Sequence, residues 1–200
     1  METANVTNTF SPVAHYRDTD KVEGVNQKKW FIAIVNYNTE KVRGKKLNDL
    51  GYESYVPQTS ANIVKGAEDS LRNHLLLPTL VFIHVSELER KRLVRLSIVN
   101  RFMMDAARKR NEYGGKSFAI VPDNQMEMFQ MMVERSKKPV TIGPRQIRAG
   151  EKVQVVDGEL EGLVGYVEQV PDGTKKIAVR LDNLGYAKMN VDGQLLKVIQ

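Results

Sequence analysis

One stretch of the chain is apolar at almost every position: HLLLPTLVFIHV, from His74 to Val85. Side chains alternate between the two faces of a β-strand, so a strand with one solvated face shows apolar and polar residues in turn. Here both alternating sets are apolar, with Thr79 as the exception: Leu75, Leu77, Val81, Ile83 and Val85 in one, and Leu76, Leu80 and Phe82 in the other. The pattern predicts a strand covered on both faces, either by other segments of this chain or by a partner.

The residues before this strand predict two strands and a helix. Trp30 to Val35 form a dense apolar strand, and Asn38 is a suitable cap for a helix that runs to about Leu50. Gly51 ends that helix. YESYVP, from Tyr52 to Pro57, predicts a short second strand.

The residues after it continue the alternation of helices and strands. Ser86 caps a predicted helix in SELERKRLVRL, which a hydrophobic segment, IVNRFMM, follows. A turn at Gly114-Gly115 leads to a strand, SFAIVP, and then to a helix with Pro122 in its first turn. This alternation favours an α+β fold in which helices pack on one sheet.

The residue composition and the pattern of predicted elements change after residue 136. Lys137 to Gly150 contain two prolines and two glycines without a sustained period, which is typical of a linker. The following fifty or so residues hold short β-rich runs separated by Asp-Gly pairs, which predict a small barrel. The predicted organisation is a polar flexible tail over 1–27, an α+β domain over 28–136, a linker over 137–147 and a barrel over 148–200.

Composition limits the setting of the protein. The 200 residues include no cysteine, so disulfides and thiolate metal sites are impossible. No apolar run reaches the roughly 20 residues of a membrane-spanning helix, and the first ten residues lack the order of a signal peptide. We therefore predict a cytoplasmic protein with no membrane association. The net charge is +6, and its excess lies in residues 86–116, with nine basic and four acidic side chains, which allows a nucleic-acid neighbour.

Motifs for enzymatic chemistry are incomplete. GGKS at Gly114 to Ser117 lacks the further glycine of a phosphate-binding loop, because Arg110 stands at that position. The three histidines have no acidic or cysteine neighbours at metal-ligand spacing. The methionines of the last helix of the α+β domain, with Phe129 and Val133, are interpreted as core residues. We predict no enzyme activity, no metal and no cofactor.

The C-terminal region contains a more specific pattern. In VQVVDGELEGLVGYVEQV a strand runs into Asp157-Gly158, then Leu160, Gly162 and Gly165, and glycines at this spacing allow sharp bends without a Cβ clash. With IAVRLDNLGYAKMNV after it, this stretch resembles the KOW motif of transcription elongation factors and ribosomal proteins. KKWFIAIVNYNTEKVRGKKLNDLGYESYVP followed by LLPTLVFIHV resembles the N-terminal domain of NusG-type factors. The resemblance covers roughly residues 28–200 and implies a four-stranded antiparallel sheet flanked by helices, followed by a five-stranded KOW β-barrel.

The resemblance also implies contacts with RNA polymerase. In this family the outer face of the apolar strand receives the clamp helices of the largest polymerase subunit. The corresponding positions here are Leu77, Leu80, Phe82, Phe102 and Met104. The contact with the opposite polymerase lobe comes from the helix after that strand, which places Lys91 and Arg92 there. Bridging of clamp and lobe disfavours clamp opening, and it can act only through different affinities for the closed and open polymerase.

A third implied contact is with nucleic acid. In specialised NusG paralogs the turn after the first strand faces non-template DNA, and the corresponding residues here are Asn36, Tyr37, Thr39, Lys41 and Arg43. Asparagine can pair with a base edge, tyrosine can stack on an unpaired base, and the basic residues can hold phosphates. In the alternative interpretation, Asn38 only caps the helix, Tyr37 packs beneath it, and the basic side chains are solvated. Nascent RNA read by Arg108 to Arg110 is another alternative.

Departures from the family pattern indicate a specialised paralog. Thr79 and Leu80 follow Pro78 where the family has glycine and an aromatic residue, and Glu159-Leu160 replace the usual Pro-Phe. The chain is similar to the antiterminators encoded with capsular-polysaccharide operons. We therefore predict an antitermination or elongation factor, whose barrel binds a ribosomal protein or the termination factor Rho. The alternative is a ribosome-associated or RNA-binding KOW protein.

Overall fold

A computed structural model describes residues 26–58, 75–107, 114–143, 150–170, 173–191 and 195–199. The predicted tail over 1–27 lies almost entirely outside these ranges, as do Arg108 to Arg110. The described chain contains strands and helices in two antiparallel sheets, so the mixed class of strands and helices is confirmed.

The first sheet contains five strands. They are β1 (Lys29–Ile34), β2 (Glu53–Tyr55), β3 (Leu80–Val85), β4 (Arg101–Phe102) and β5 (Ile120–Val121). Their order is β2-β3-β1-β4, and β5 also pairs with β1. The predicted four-stranded sheet was one strand short, because two short strands share one edge of β1: β4 pairs with Ala33 and Ile34, and β5 pairs with Trp30 and Phe31.

Three helices accompany this sheet: α1 (Glu40–Asp49), α2 (Glu87–Arg95) and α3 (Asp123–Arg135). The predicted cap of α2 is confirmed, since the Ser86 side chain accepts from the Glu89 backbone while Glu89 reaches back to the Ser86 backbone. The predicted cap of α1 was wrong. Thr39 occupies the N-cap position, and Asn38 adopts a left-handed conformation at φ 62°. Pro122 stands at the N-cap of α3, one residue earlier than predicted.

The two faces of the first sheet belong to different apolar clusters. Phe31, Val81 and Ile83 pack with residues of α1 and α2 on what we call the α1/α2 face. Ile32, Leu80 and Phe82 pack with residues of α3 on what we call the α3 face. Both faces of β3 are therefore covered by this chain itself, which was one of the two alternatives that the sequence left open.

The second sheet is larger than predicted. It contains β6 (Thr141–Gly143), β7 (Lys152–Val155), β8 (Val164–Gln169), β9 (Lys175–Leu181), β10 (Gly185–Asn190) and β11 (Leu196–Val198). Its order is β11-β7-β8-β9-β10-β6, and among the described residues no pairing joins β11 to β6. The five-stranded barrel of the sequence prediction is thus a six-stranded open sheet here. The extra strand lies inside the predicted linker, where the β-branched residues of VTI favour extended structure.

The glycine-rich turn between β7 and β8 follows the prediction. Gly158 and Gly162 have φ of 81° and 91°, which an L-residue with a side chain rarely adopts. Gly165 serves close approach instead, because a Cβ there would lie 2.8 Å from the Ala178 carbonyl oxygen. Leu160 is buried in the apolar cluster, and the Glu159 carboxylate pairs with Lys137.

The two sheets meet at α3. The apolar cluster on the α3 face continues into the second sheet, including Val153, Leu163 and Val179. Two polar contacts accompany it: the Asp182 backbone N–H donates to Gln125 Oε1 at 2.8 Å, and the Ala106 backbone N–H donates to Asn183 Oδ1 at 2.9 Å. One apolar layer thus joins the N-terminal and C-terminal parts of the described chain.

Candidate interaction surfaces

The turn after β1 presents an exposed aromatic side chain. Asn36, Tyr37 and Asn38 are all exposed, and Tyr37 is 67% exposed. Thr39 closes the turn from both its backbone and its side chain: the N–H donates to the Asn36 carbonyl at 3.1 Å and the hydroxyl at 2.7 Å. Tyr37 therefore does not pack beneath Asn38, and its ring has a free face of the kind that stacking on a base requires.

A second loop, residues 97–100, is fastened to this turn. Asn100 Nδ2 donates to Asn36 Oδ1 at 2.6 Å, and the Asn100 backbone N–H donates to the Ile34 carbonyl at 3.0 Å. Arg43 reaches across from α1 and donates to the Ser97 carbonyl at 3.1 Å. The structure therefore brings together four of the predicted nucleic-acid residues, Asn36, Tyr37, Thr39 and Arg43, with Lys41 half-buried on the same first helical turn. The sequence analysis missed Asn100, because the sequence contains no signal for a contact 64 positions away.

A buried carboxylate sets the position of this turn against β3. Glu40 is 1% exposed, and its Oε1 accepts from the Thr79 backbone N–H at 2.7 Å. Thr79 has φ 66°, an unfavourable conformation for a β-branched residue, and its carbonyl accepts from the Val35 backbone N–H at 2.9 Å. Thr79 stands where the family pattern has another residue, and its unusual backbone conformation is stabilised by the hydrogen bond that its N–H donates to Glu40 at the start of α1.

The structure does not bring the five predicted clamp residues onto one surface. Leu80 and Phe82 lie on the α3 face, where Leu80 is 9% exposed and Phe82 is fully buried. Phe102 is directly opposite Ala33 in the antiparallel pair of β1 and β4, so it shares the face of Ala33, which is the α1/α2 face. Met104 has the same parity as Phe102 and is 39% exposed. The expectation that Phe102 and Met104 extend the patch of Leu80 and Phe82 was therefore wrong.

A different set of residues borders Leu80. Ile34, Leu76, Leu77 and Met103 are half-buried and pack against the cluster of the α3 face, and we call these four residues the apolar rim. Ile34 is directly opposite Leu80 in the β1–β3 pair, two residues before the exposed turn at Asn36. Of the predicted clamp residues, Leu77 alone belongs to the rim. The other three were missed because the register between strands decides which residues of separate segments share a face, although Leu76 lies in the same alternating set as Leu80.

α3 closes the middle of this face with aromatic contacts. The ring of Phe129 lies edge-on to those of Phe82 and Tyr55, with centroid distances of 5.9 and 6.1 Å. Burial, and to a smaller extent the charge of Glu134, raise the pKa of Tyr55 well above its usual range. Its hydroxyl is buried without a hydrogen-bond partner in the described structure. The centre of the α3 face is therefore protein core, and its edge is the part that a partner can reach.

The basic residues of α2 divide into two kinds. Lys91 and Arg92 are exposed, and so are Leu88 of the same helix, at 63%, and Leu96 at its C-cap, at 52%. Arg90 is 5% exposed, and its guanidinium carbon lies 3.6 Å from the ring centroid of Phe118. The charge count of residues 86–116 therefore includes a core residue.

Nothing in the described ranges forms a group of three or more histidine, cysteine or acidic residues that could hold a metal ion. Among the helices of those ranges, none is both long and apolar enough to cross a membrane.

Comparison with known proteins assigns the family. The family model described as transcription termination factor nusG matches residues 28–130, which is more than half of the chain. This chain belongs to the NusG family. NusG-family proteins are non-enzymatic transcription factors that typically bind RNA polymerase. The matched residues include the whole first sheet, the exposed turn and the apolar rim.

One solved structure to which the chain is similar is described as "Domain interaction in Thermotoga maritima NusG". The sequences are 18% identical, the similarity covers 87% of this chain and 98% of that chain, and the TM-score is 0.43. The comparison with curated proteins returned no match.

Proposed function

We propose that this NusG-family protein is a transcription antitermination and elongation factor, which binds RNA polymerase and suppresses pausing or termination. Its proposed targets are particular operons, such as capsular-polysaccharide loci, and its proposed location is the cytoplasm, where bacterial polymerase works. The observation that carries the proposal is the arrangement at one end of β1. There an exposed turn with Tyr37 and Asn36 lies two residues beyond Ile34 of the apolar rim.

The polymerase contact is proposed for the α3 face. Leu77 and Leu80 at its edge, with Ile34 and Met103, offer apolar side chains that a pair of clamp helices would cover, and Phe82 supports them from below. Phe102 lies on the opposite face and Met104 shares its parity, so we leave both residues out of the contact. Lys91 and Arg92 of α2 are proposed for the opposite polymerase lobe. The factor then stabilises the closed polymerase in proportion to its higher affinity for that state.

The nucleic-acid contact is proposed for the exposed turn. Tyr37 stacks on an unpaired base of non-template DNA or nascent RNA, Asn36 contacts a base edge, and Thr39, Lys41 and Arg43 lie close enough to meet the backbone. The second sheet is proposed to bind a ribosomal protein or Rho.

The test pairs two substitutions of exposed or half-exposed apolar residues. Leu77→Asp places a charge in the apolar rim, and Val42→Asp places one on α1, where Val42 is 69% exposed. Immobilised wild-type protein and Val42→Asp should both retain purified polymerase. Immobilised Leu77→Asp should retain at least tenfold less polymerase. Circular dichroism of both variants checks that they are folded. Full retention by a folded Leu77→Asp variant would refute the polymerase contact.

The lobe contact has its own readout. Reversal of both charges in Lys91→Glu with Arg92→Glu should lower read-through at a terminator in transcription assays more than it lowers polymerase retention. An equal loss of both would contradict the bridging mechanism. Co-purification of ribosomal particles without polymerase would instead support the alternative of a ribosome-associated protein.

A further inference from the structure

The contact between Asn36 and Asn100 fixes two side-chain amides next to each other on the surface. Asn100 Nδ2 donates to Asn36 Oδ1 at 2.6 Å, and both residues are exposed. The bond uses the acceptor of Asn36 and one of the two N–H groups of Asn100. The remaining groups include the amide NH₂ of Asn36, which can only donate, and the Oδ1 of Asn100, which can only accept, together with the second N–H of Asn100.

The backbone holds this amide pair from both sides. Asn38 and Ser97 have positive φ of 62° and 53°. Such conformations cost energy for residues other than glycine, and surrounding contacts must maintain them. Those contacts are present: Thr39 donates twice to the Asn36 carbonyl, and Arg43 donates to the Ser97 carbonyl. The two loops are therefore fixed relative to each other, and the amide pair is ordered before any ligand binds.

An ordered donor beside an ordered acceptor matches bases that present a ring-nitrogen acceptor next to an amino donor, as unpaired adenine and cytosine do and thymine and uracil do not. Adenine presents an N7 acceptor next to an N6 donor, and asparagine is a residue that pairs with this edge in a bidentate manner. Thymine and uracil lack an exocyclic donor. The exposed ring of Tyr37, one residue from Asn36, supplies a stacking surface for the same base.

We propose that Asn100 and Asn36 together form a site that selects an unpaired base with an amino group, such as adenine, over thymine or uracil, with Tyr37 as its stacking platform. The inference rests on the proposed nucleic-acid contact of the turn and adds the class of base that it selects and the role of Asn100. Asn36 supplies the donor to N7. Asn100 holds Asn36 in place and supplies the acceptor for the N6 amino group.

The test measures the affinity of the full chain for single-stranded 12-mers. One probe consists of thymidines alone, and the second carries a single central adenine. Wild-type protein should bind the adenine-containing probe about 5- to 150-fold more tightly, since a good bidentate contact discriminates by about 1–3 kcal/mol. The same comparison with uridine 12-mers determines whether DNA or RNA is the better ligand.

Variants separate base selection from general affinity. Asn100→Ala should bring the ratio of the two affinities close to one. Asn36→Asp keeps the acceptor for Asn100 but removes the donor, so it should also lose the ratio, and thermal melting should show an unchanged fold. Lys41→Ala should lower the affinity for both probes by the same factor, so the ratio of the two affinities should not change. A preference for adenine that survives Asn100→Ala would overturn the role of Asn100.

Polymerase retention distinguishes the two proposals. Wild-type protein that retains polymerase but binds both probes equally would overturn the adenine site and leave the proposed function standing. Wild-type protein that prefers the adenine probe but retains no polymerase would overturn the proposed function and support the site.

Discussion

The two faces of the first sheet are both apolar, yet they are covered in different ways. On the α1/α2 face, two helices of the same part of the chain, α1 and α2, cover Phe31, Val81 and Ile83. On the α3 face, a single helix covers Phe82, and the apolar layer continues into the second sheet. Alternate side chains of β3 therefore belong to two different clusters. One cluster is local to the first sheet and its helices, and the other continues into the second sheet. Half-buried apolar residues lie at the edge of the second face, where we propose the polymerase contact, whereas the first face is closed by its own helices.

The largest contrast is expected from truncation on each face. Ile83 is fully buried on the α1/α2 face, so Ile83→Ala should lower the free energy of unfolding by about 2–5 kcal/mol. Leu77 is half-buried in the apolar rim, so Leu77→Ala should cost less than about 1 kcal/mol. Urea denaturation of both variants gives the two values. Similar losses would mean that the rim is as much a part of the core as Ile83 is.

A second contrast concerns basic residues on α2. Arg90 is packed over Phe118 and donates from Nε to Glu87 Oε2 at 2.9 Å, so Arg90→Ala should cost about 2–3 kcal/mol. Arg92 is exposed, and Arg92→Ala should change stability by less than about 0.5 kcal/mol. Arg90→Lys should recover only part of the loss, because lysine lacks the planar fork. Chemical denaturation measures all three, and an equal effect of the two alanine variants would contradict a core role for Arg90.

The link between the exposed turn and β3 is expected to have a smaller effect. Glu40→Ala leaves the partly buried Thr79 N–H without an acceptor and should cost about 1–2 kcal/mol. Glu40→Gln keeps a side-chain oxygen and should cost less. Thermal melts compare them, and the control is Glu53→Gln on the exposed end of β2. Glutamine as damaging as alanine would show that the charge matters rather than the hydrogen bond.

The smallest effect is expected from the cap of α2. The backbone hydrogen bond from Ser86 holds the pKa of Glu89 below its usual range. A carboxyl with a lowered folded pKa contributes stability that is complete above its unfolded pKa and is lost as the pH falls through the folded pKa. When the pH falls from 5 to 3, the free energy of unfolding of the wild type should therefore decrease by up to about 1 kcal/mol more than that of Glu89→Gln. Denaturation curves at the two pH values measure this difference. Equal acid sensitivity of the two proteins would contradict the role of this carboxylate.

Local signals in the sequence predicted the elements whose causes are local. Ser86 predicted the start of α2, and Gly158 and Gly162 predicted the bends between β7 and β8. The prediction failed where a local signal competed with another contact. Asn38 has a side chain that suits an N-cap, but its backbone adopts the left-handed conformation of the turn. Thr39 occupies the N-cap position instead. The prolines and glycines of residues 137–150 indicated a linker, although Thr141–Gly143 among them pair with β10.

The candidate surface was predicted only in part. The family pattern pointed to the turn at Asn36 and Tyr37, and the structure shows both side chains exposed there. The pattern also grouped Phe102 with Leu80, which requires a register that the sequence does not contain. A shift of one residue moves every side chain of a strand to the other face, so Met103 rather than Phe102 faces the α3 side.

By itself, the sequence determined that β3 is apolar on both faces, where α2 begins, where the glycine turns lie, and that the chain resembles NusG-type factors. Each of these follows from residues close together in the chain, whose conformational preferences act over one or two turns. Only the tertiary structure decided that α3 covers Phe82, that β6 joins the second sheet, and that Asn100 meets Asn36. These contacts join distant residues, and their energies depend on strand register and on apolar burial, neither of which a local pattern specifies.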